Sequence, residues 1–320
     1  MNGNWLDLAS LGPSFTADPF PVYARLRDQA PISRVVYHGL PTWLVVGHEE
    51  ARQLIADRRL SLDPAHASDT VRAVPWVDQD IFGRPKGLLS SDPPDHTRLR
   101  RLVGKAFTPR QVEGLRPRVR EVADELIGAF AGRGHADLVE DFGAQLPAIV
   151  IMELLAVPTG DRREFGANCD LFLSSDPDKL PLLPAAVADI MAYIEGLVHA
   201  KRERPGDDLL SQLILVRDRG DQLSEPEMQT LAFLLLLAGL ETTASLIGSG
   251  TLALLRHPAQ MAAVRSDPAL IAPAIEEMLR YDGPVAGVKL RFATEEITVG
   301  DTVLSPGDPV VISVTAASTS

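Results

Sequence analysis

The sequence predicts a mainly α-helical globular protein with a small β-region near its C-terminal end. Two observations predict this class. Between residues 92 and 281, apolar residues recur at helical spacing, and segments rich in proline, glycine and aspartate separate the periodic stretches. After Tyr281, short stretches rich in β-branched residues alternate with Gly-Asp turns. The hydrophobic content of 45% and charged content of 23% are typical of a soluble globular protein.

Length, charge and cysteine content limit the classes of function. No internal repeat or linker divides the 320 residues, so we expect one domain over residues 1–320. The net charge of −12 argues against a nucleic-acid partner. Cys169 is the single cysteine, which excludes an internal disulfide, and we expect it to be a small buried residue. The N-terminus lacks the features of a signal peptide, so we expect a cytoplasmic protein with no membrane anchor.

The N-terminal quarter mixes helical and extended patterns. Residues 18–28 and 49–59 have helical periodicity, and residues 33–37 and 42–46 form a predicted hairpin around a glycine-containing turn. Residues 60–87 have no period and carry Trp76 and Phe82. A loop of that length inside a compact domain is usually functional or mobile.

The longest predicted helix spans residues 225–256. Ser224 and Glu227 fit a capping box, and the His257-Pro258 pair ends the helix. At about 1.5 Å per residue the helix is about 48 Å long, enough to cross a domain. A membrane-spanning helix is the alternative, because residues 231–240 are all apolar or glycine. We favour a core helix, since Glu241 ends that run well before the roughly 20 residues that a bilayer requires.

The centre of this helix breaks the apolar pattern with Ala238, Gly239, Glu241 and Thr242. Glycine inside a helix costs about 1 kcal/mol relative to alanine, and a buried carboxylate needs a partner. Such conflicts are expected where a ligand presses against a helix backbone. For Thr242 the structural alternative is a hydroxyl bonded to the carbonyl four residues earlier. We favour a functional role for it, given its neighbours.

Two further stretches carry candidate site residues. In the first, Asp92 is a predicted N-cap, and His96 and Arg100 share one helix face four residues apart. This pair is either a solvated basic face or a clamp for an anionic group. In the second, Glu277 and Arg280 form a predicted ion pair on a helix over residues 274–281. An exposed pair of this kind is worth at most about 1 kcal/mol, so it is weak evidence by itself.

The remaining segments complete a helical body followed by strands. Further helices are predicted over residues 109–132, 145–157, 162–173, 185–204 and 207–214, and strands over residues 288–292, 297–299 and 310–314.

Taken together, the three stretches resemble the bacterial cytochrome P450s, most closely the soluble type of actinomycete secondary metabolism. Residues 238–243 are similar to the oxygen-binding sequence of that family's central helix, and residues 277–280 to its Glu-x-x-Arg motif. Residues 95–100 are similar to its haem-propionate clamp, and residues 18–23 also match. The resemblance covers the whole chain and implies a cytochrome P450 fold.

The resemblance implies a site for haem b. Ala238 and Gly239 would leave room for O₂ and substrate beside the helix, Thr242 would offer a hydroxyl to the bound oxygen, and Glu241 would help to deliver protons. The propionates would be neutralised by His96, Arg100 and Arg291. Glu277 and Arg280 would be structural. Residues 76–89, the segment near Phe172 and residues 284–288 would line the substrate pocket.

The resemblance also implies partners and a reaction. The protein would be a haem-thiolate monooxygenase that inserts one oxygen atom into a lipophilic small molecule. Its electrons would come from a ferredoxin and an NAD(P)H-dependent ferredoxin reductase. We expect no nucleic acid and no membrane among its partners.

One feature of the family is missing from the sequence. The family's haem ligand is a cysteine in a loop after the β-region, whereas this sequence ends at Ser320 without that loop or the following helix. Cys169 lies in a different region, so we predict no metal ligand within the chain. We expect the chain by itself to be inactive, and either poorly folded or exposing an apolar patch beside residues 234–237.

Two hypotheses follow from the missing cysteine. The first is a monooxygenase whose sequence is incomplete, truncated before the haem-binding loop and last helix. The second is a non-catalytic P450-like protein that activates a partner glycosyltransferase.

Overall fold

The computed structural model describes residues 5–74, 77, 87–173, 177–218 and 223–319. The chain divides into two compact units. Unit 1 comprises Met1–Phe82, Leu89–Asp92 and Ala262–Ser320, and unit 2 comprises Gly83–Leu88 and Pro93–Met261. The expectation of a single domain stays a prediction.

Helices predominate in the described residues. The α-helices are α1 Pro13–Ala17, α2 Phe20–Gln29, α3 His48–Ile55, α4 Asp69–Arg72, α5 Asp95–Ala106, α6 Pro109–Gly114, α7 Arg116–Ala131, α8 Gln145–Leu154, α9 Arg162–Leu173, α10 Leu183–Glu203, α11 Leu209–Asp218, α12 Glu225–Arg256, α13 Pro258–Ser266, α14 Ile271–Asp282 and α15 Val314–Ser318. The strands are β1 Leu6–Asp7, β2 Ile32–Tyr37, β3 Leu40–Val45, β4 Leu60–Ser61, β5 Arg291–Ala293, β6 Ile297–Val299, β7 Thr302–Leu304 and β8 Pro309–Ile312. The predicted mainly α class is confirmed.

Unit 1 is built on a six-stranded sheet of order β1-β2-β3-β8-β5-β4, with β6 and β7 forming a separate pair. β2 and β3 are antiparallel, with Tyr37 opposite Leu40, so the predicted hairpin is confirmed. Gly39 in its turn has a φ of +78°, a conformation that glycine adopts at no steric cost. The C-terminal β8 runs parallel to β3, which joins distant parts of the sequence in one sheet.

Unit 2 is a helical body around one large apolar cluster. α10 contributes the buried residues Ala186, Val187, Ile190, Met191, Ile194, Leu197 and Val198. α12 contributes Ala232, Leu236 and Leu240 to the same cluster. Cys169 of α9 also belongs to it and is 1% exposed, so its prediction as a buried residue is confirmed.

Several boundaries differ from the sequence-based predictions. The prediction of Asp92 as the N-cap of α5 is wrong: the cap position is Pro94. The Asp92 carboxylate instead accepts hydrogen bonds from the Ser61 hydroxyl and from the Leu62 amide, the latter at 3.0 Å. The helix predicted over residues 109–132 is interrupted at Leu115, between α6 and α7. The last predicted strand ends at Ile312, because the Ser313 hydroxyl caps α15.

Among the described residues two helices, α10 and α12, are long and apolar enough to cross a membrane by length and composition alone. The same test is passed by core helices of soluble proteins, so this is weak evidence for a membrane protein. The buried side chains of α10 within unit 2 are those of a core helix.

Candidate functional site

α12 begins and ends where the sequence predicts. The Glu227 amide donates to the Ser224 hydroxyl at 3.3 Å, and the Ser224 amide donates to Oε2 of Glu227 at 2.8 Å, which completes the capping box. His257 is the C-cap residue, followed by Pro258. The predicted oxygen-binding residues therefore lie on one uninterrupted helix of 32 residues.

Gly239 faces a neighbouring helix rather than open space. A Cβ atom on Gly239 would lie 3.1 Å from both Cγ1 and Cδ1 of Ile151 in α8. Its missing side chain therefore permits close packing of α8 on α12, a close approach for which glycine is suited. The expectation that the missing side chain of Gly239 opens the helix towards a ligand is corrected on this ground. Its role in cofactor binding stays a prediction.

Ala238 and Thr242 lie one turn apart on the open side of α12. Ala238 and Glu241 are exposed, and Thr242 is half-buried. The Thr242 hydroxyl donates to the Ala238 carbonyl at 2.6 Å, which is the structural alternative considered for this residue. That bond uses the donor but leaves the oxygen of Thr242 able to accept a hydrogen bond. Among the described residues, the Glu241 carboxylate has no hydrogen-bond or ion-pair partner.

α5 presents its predicted basic pair away from the unit 2 core. Leu99 and Leu102, on the inner face of the helix, are 2% and 0% exposed. By helical spacing His96 and Arg100 lie together on one face, with His96 half-buried beside the inner face and Arg100 exposed. Within the described part of the chain neither side chain has a hydrogen-bond or ion-pair partner. Both are therefore available to an anionic group.

Arg291 of β5 belongs to unit 1 and has an incomplete set of partners. Its Nη1 donates to the Ile55 carbonyl at 3.0 Å. Its Nε is buried and, in the described residues, has no hydrogen-bond partner. Burial lowers the pKa of Arg291, and the nearby Asp92 carboxylate opposes this effect. A buried guanidinium nitrogen without an acceptor fits an anionic ligand at this position.

The Glu-x-x-Arg pair on α14 forms as predicted. Nε and Nη2 of Arg280 donate to the two carboxylate oxygens of Glu277, both at 2.7 Å, and Nη1 donates to the Ser318 carbonyl at 2.6 Å. The Arg280 and Glu277 side chains are 48% and 59% exposed, and α14 has no buried residue. The pair ties α14 to α15 at the surface of unit 1.

The leucines of α12 differ in how far they are exposed. Leu236 is buried, and Leu234, Leu235 and Leu237 are half-buried. The strongly exposed leucines of the helix are Leu252 and Leu255, at 47% and 55%. The prediction of an exposed apolar patch beside residues 234–237 stays a prediction, because three of these four leucines keep part of their surface accessible.

Two described parts of the predicted pocket lining lie against α12: Phe172, and Gly87, where a Cβ atom would lie 3.1 Å from Cγ2 of Thr230. The ring of Phe172 packs edge-on against Phe233, with ring centroids 5.5 Å apart. Residues 75, 76 and 78–86 lie outside the described residues. A separate cavity of about 350 Å³ between α6, α7, α8 and α11 contains none of the predicted site residues.

Sequence reasoning missed Arg98, which joins α5 to α12. Nη2 of Arg98 lies 2.5 Å from Oε1 of Glu227, across 129 positions of sequence. Arg98 stands between His96 and Arg100, and Glu227 was predicted only as part of a helix cap. The available signal was an arginine on the apolar face of an otherwise amphipathic helix.

Cys169 is buried as a thiol in the core of unit 2. Burial, reinforced by the negative charge of Asp170, raises the pKa of the thiol to about 12. A metal ligand must be the thiolate, and this environment disfavours it. Among the described residues no group of three or more His, Cys, Asp or Glu side chains is placed to hold a metal ion.

Comparison with known proteins supports the resemblance found in the sequence. The family model described as Cytochrome P450 matches residues 178–320. The cytochrome P450 monooxygenase PikC of Streptomyces venezuelae is 44% identical over 311 residues, which are 96% of this chain and 73% of that protein. The 6-deoxyerythronolide B hydroxylase of Saccharopolyspora erythraea is 41% identical over 312 residues, 95% of this chain and 76% of that protein.

The fold is shared as well as the sequence. The Bacillus subtilis cytochrome P450 PksS, of the bacillaene polyketide synthase, superposes with a TM-score of 0.87 at 36% identity. The match covers 96% of this chain and 77% of PksS. On this similarity of sequence and fold, the chain belongs to the cytochrome P450 family.

Proposed function

We propose that this chain forms the helical body and sheet of a haem-dependent monooxygenase that oxidises a lipophilic small molecule in secondary metabolism. The observation that carries the proposal is the open side of α12, where a hydroxyl, a carboxylate and an alanine interrupt an apolar run. The names of the relatives support the reaction class, since one is a monooxygenase and another a hydroxylase.

The basic side chains fit the propionates of a haem. His96 and Arg100 have no partner in the described residues, and Arg291 has a buried Nε without an acceptor. Each would donate to a propionate oxygen, and charge-assisted hydrogen bonds of this kind are the stronger ones. When bound, haem supplies the chemistry of oxygen activation, which no amino-acid side chain provides. Cys169 would not supply the thiolate that holds the iron in this family, because the residue is buried in the unit 2 core.

The residues of α12 would deliver protons to the site and leave room for the substrate. Glu241 is exposed and unpaired among the described residues, so its carboxylate can take a proton from solvent. Thr242 lies next along the chain, and its hydroxyl would donate its proton into the site when it leaves the Ala238 carbonyl. Ala238 would leave the substrate side of the helix open, because its side chain is a single methyl group. Gly239 would let the backbone of α12 approach α8 closely and so would set the distance between the two helices.

Partners and location follow the same proposal. A ferredoxin, reduced by an NAD(P)H-dependent ferredoxin reductase, would supply the electrons. The protein would act in the cytoplasm on a lipophilic substrate, with Phe172 and residues 284–288 near the substrate. Glu277 and Arg280 would have a structural role only.

The test begins with the coding DNA beyond codon 320. The complete reading frame is expressed, and the reduced, CO-bound absorption spectrum is recorded. We expect the red-shifted Soret band of a thiolate-ligated haem, and a lower haem content in Arg291→Gln and in Arg100→Gln. Arg101→Gln is the matched control, because Arg101 is an exposed arginine on the same helix without a partner in the described residues. A reading frame that takes up no haem would overturn the proposal.

A non-catalytic activator of a glycosyltransferase is the second candidate. One observation favours it: the single cysteine of the sequence lies in the unit 2 core, where burial disfavours its thiolate form. This candidate predicts that the complete reading frame binds a partner glycosyltransferase and raises its activity without taking up haem. The CO spectrum therefore separates the two candidates.

A further inference from the structure

Glu227 has two sets of partners, one for each carboxylate oxygen. Oε2 accepts from the Ser224 amide at 2.8 Å and caps α12. Oε1 accepts from Nη2 of Arg98 at 2.5 Å, and Nη1 of Arg98 lies 3.4 Å from Oε2. One side chain therefore fixes the start of the central helix and binds the helix that carries the basic pair.

The pair is well placed to determine how α5 sits against α12. The Arg98 and Glu227 side chains are only 19% and 15% exposed, so solvent screens them weakly. Nη2 of Arg98 also donates a hydrogen bond to Oδ1 of Asp95, at 3.1 Å. Leu99 and Leu102 hold α5 against the core by non-directional apolar contact, whereas a two-point ion pair is directional and so restricts the rotation and translation of the helix.

Arg98 also lies midway between His96 and Arg100 in the sequence. A helix is rigid over so short a distance, so whatever fixes Arg98 also fixes the direction of the residues two positions before and after it. We propose that the Arg98–Glu227 ion pair sets the register of α5 on α12, and that Arg98 is thereby a positioning residue for the cofactor contacts of His96 and Arg100. This inference rests on the proposed haem-binding function, and Arg98 itself would not touch the haem.

Conservative variants separate this role from helix capping. In Glu227→Gln the amide oxygen can still cap α12, since glutamine also occupies this position of a capping box, but the charge is lost. Arg98→Gln removes the other charge, and Arg98→Lys keeps a single point charge. Ser224→Ala removes the capping hydroxyl and leaves the ion pair. Arg101→Gln is the control for loss of a positive charge on α5.

The measurement is the rate of haem transfer from the complete protein to excess apomyoglobin. We expect Arg98→Gln and Glu227→Gln each to release haem about tenfold faster, the lower end of the roughly 10–100-fold effect of outer-shell partners at metal sites. The double variant should be no faster than either single variant. Arg98→Lys should recover part of the loss, and Ser224→Ala and Arg101→Gln should release haem at the wild-type rate.

A second comparison excludes a merely stabilising role. If Arg98 acts through the basic pair, Arg98→Gln should have no further effect on haem release once His96→Gln and Arg100→Gln are both present. An equal effect in that background would overturn the inference, as would wild-type haem release by Arg98→Gln. A wild-type protein that takes up no haem overturns the proposed function and this role together, whereas normal uptake with unaffected variants overturns this inference alone.

Discussion

The surroundings of α12 in unit 2 and of α14 in unit 1 differ, although both helices carry a family motif. In unit 2, α12 packs against α8 at Gly239 and bonds to α5 through Glu227, so its motif residues depend on distant parts of the chain. In unit 1, α14 buries no residue, and its Glu277–Arg280 pair is exposed. Two motifs that are equally easy to recognise in a sequence can therefore contribute very differently to the stability of the fold. Substitutions in unit 2 should therefore have the larger effects.

The largest expected difference between the two regions is in thiol reactivity. Cys169 lies in the unit 2 core with a pKa of about 12, whereas Ile275 of α14 is 42% exposed. We expect Cys169 to react with an aromatic disulfide reagent at pH 8.5 on the order of 10³ times more slowly than the thiol of an Ile275→Cys, Cys169→Ser variant. The reason is that an ordinary thiol, with a pKa of about 8.5, is half ionised at that pH. Comparable rates would show that the core around α9 opens freely.

The next effect is on the packing of α12 against α8. Gly239→Val should lower the free energy of unfolding by about 1–3 kcal/mol, because the added side chain meets Ile151 in a packed core. Chemical denaturation measures this. Gly128→Val is the matched control, since among the described residues no atom beyond the adjacent turns of α7 lies within 4 Å of a Cβ at Gly128. Trimming the neighbour with Ile151→Val should restore part of the loss, and a Gly239→Val variant as stable as the control would mean that the helix is open on that side.

The smallest effect distinguishes the two ion pairs. Glu227→Gln should lower the free energy of unfolding at pH 7 by about 1–2 kcal/mol, between the values typical of exposed and of buried pairs. Glu277→Gln should lower the unfolding midpoint by less, because Glu277 and Arg280 are both exposed. Equal effects of the two substitutions would remove the distinction between the regions.

The pH dependence sharpens this comparison. Burial by itself would raise the pKa of Glu227, but the hydrogen bonds from Arg98 and Ser224 lower it below its ordinary value. Its stabilising contribution is therefore fully present above the unfolded pKa of about 4.3 and is lost as the pH falls through the lower folded value. The difference in stability between wild type and Glu227→Gln should disappear in this acidic range. A difference that persists below it would show that the charge of Glu227 is not what stabilises the helix.

Local patterns in the sequence predicted what local interactions control. The capping box at Ser224 and the stop at His257-Pro258 indicated both ends of α12, because caps and proline act within one turn of helix. The Glu277–Arg280 pair and the hairpin of β2 and β3 were predicted for the same reason. Asp92 failed as an N-cap because a distant strand, β4, offered its carboxylate better donors than the start of α5 did.

The sequence was a poorer guide to which side of a helix packs against its neighbour. Gly239 and Ala238 are adjacent and were assigned one role, yet their side-chain positions point about 100° apart on a helix. Only the position of Ile151, in a different helix far earlier in the chain, decides that the glycine serves packing. The Nε of Arg291 has no hydrogen-bond partner among the described residues, which is likewise a property of its surroundings in unit 1 that the sequence around it does not indicate.

The amino-acid sequence by itself determined the helical class, the limits of the central helix, the family and the candidate residues on α5, α12 and α14. These properties depend on the spacing and type of residues over a few helical turns, and both can be taken directly from the sequence. Only the tertiary structure decided that Arg98 binds Glu227, that Gly239 packs on α8 and that Cys169 is held as a neutral thiol. Such properties depend on which distant side chains share a small volume, and that is settled by the packing of the whole core.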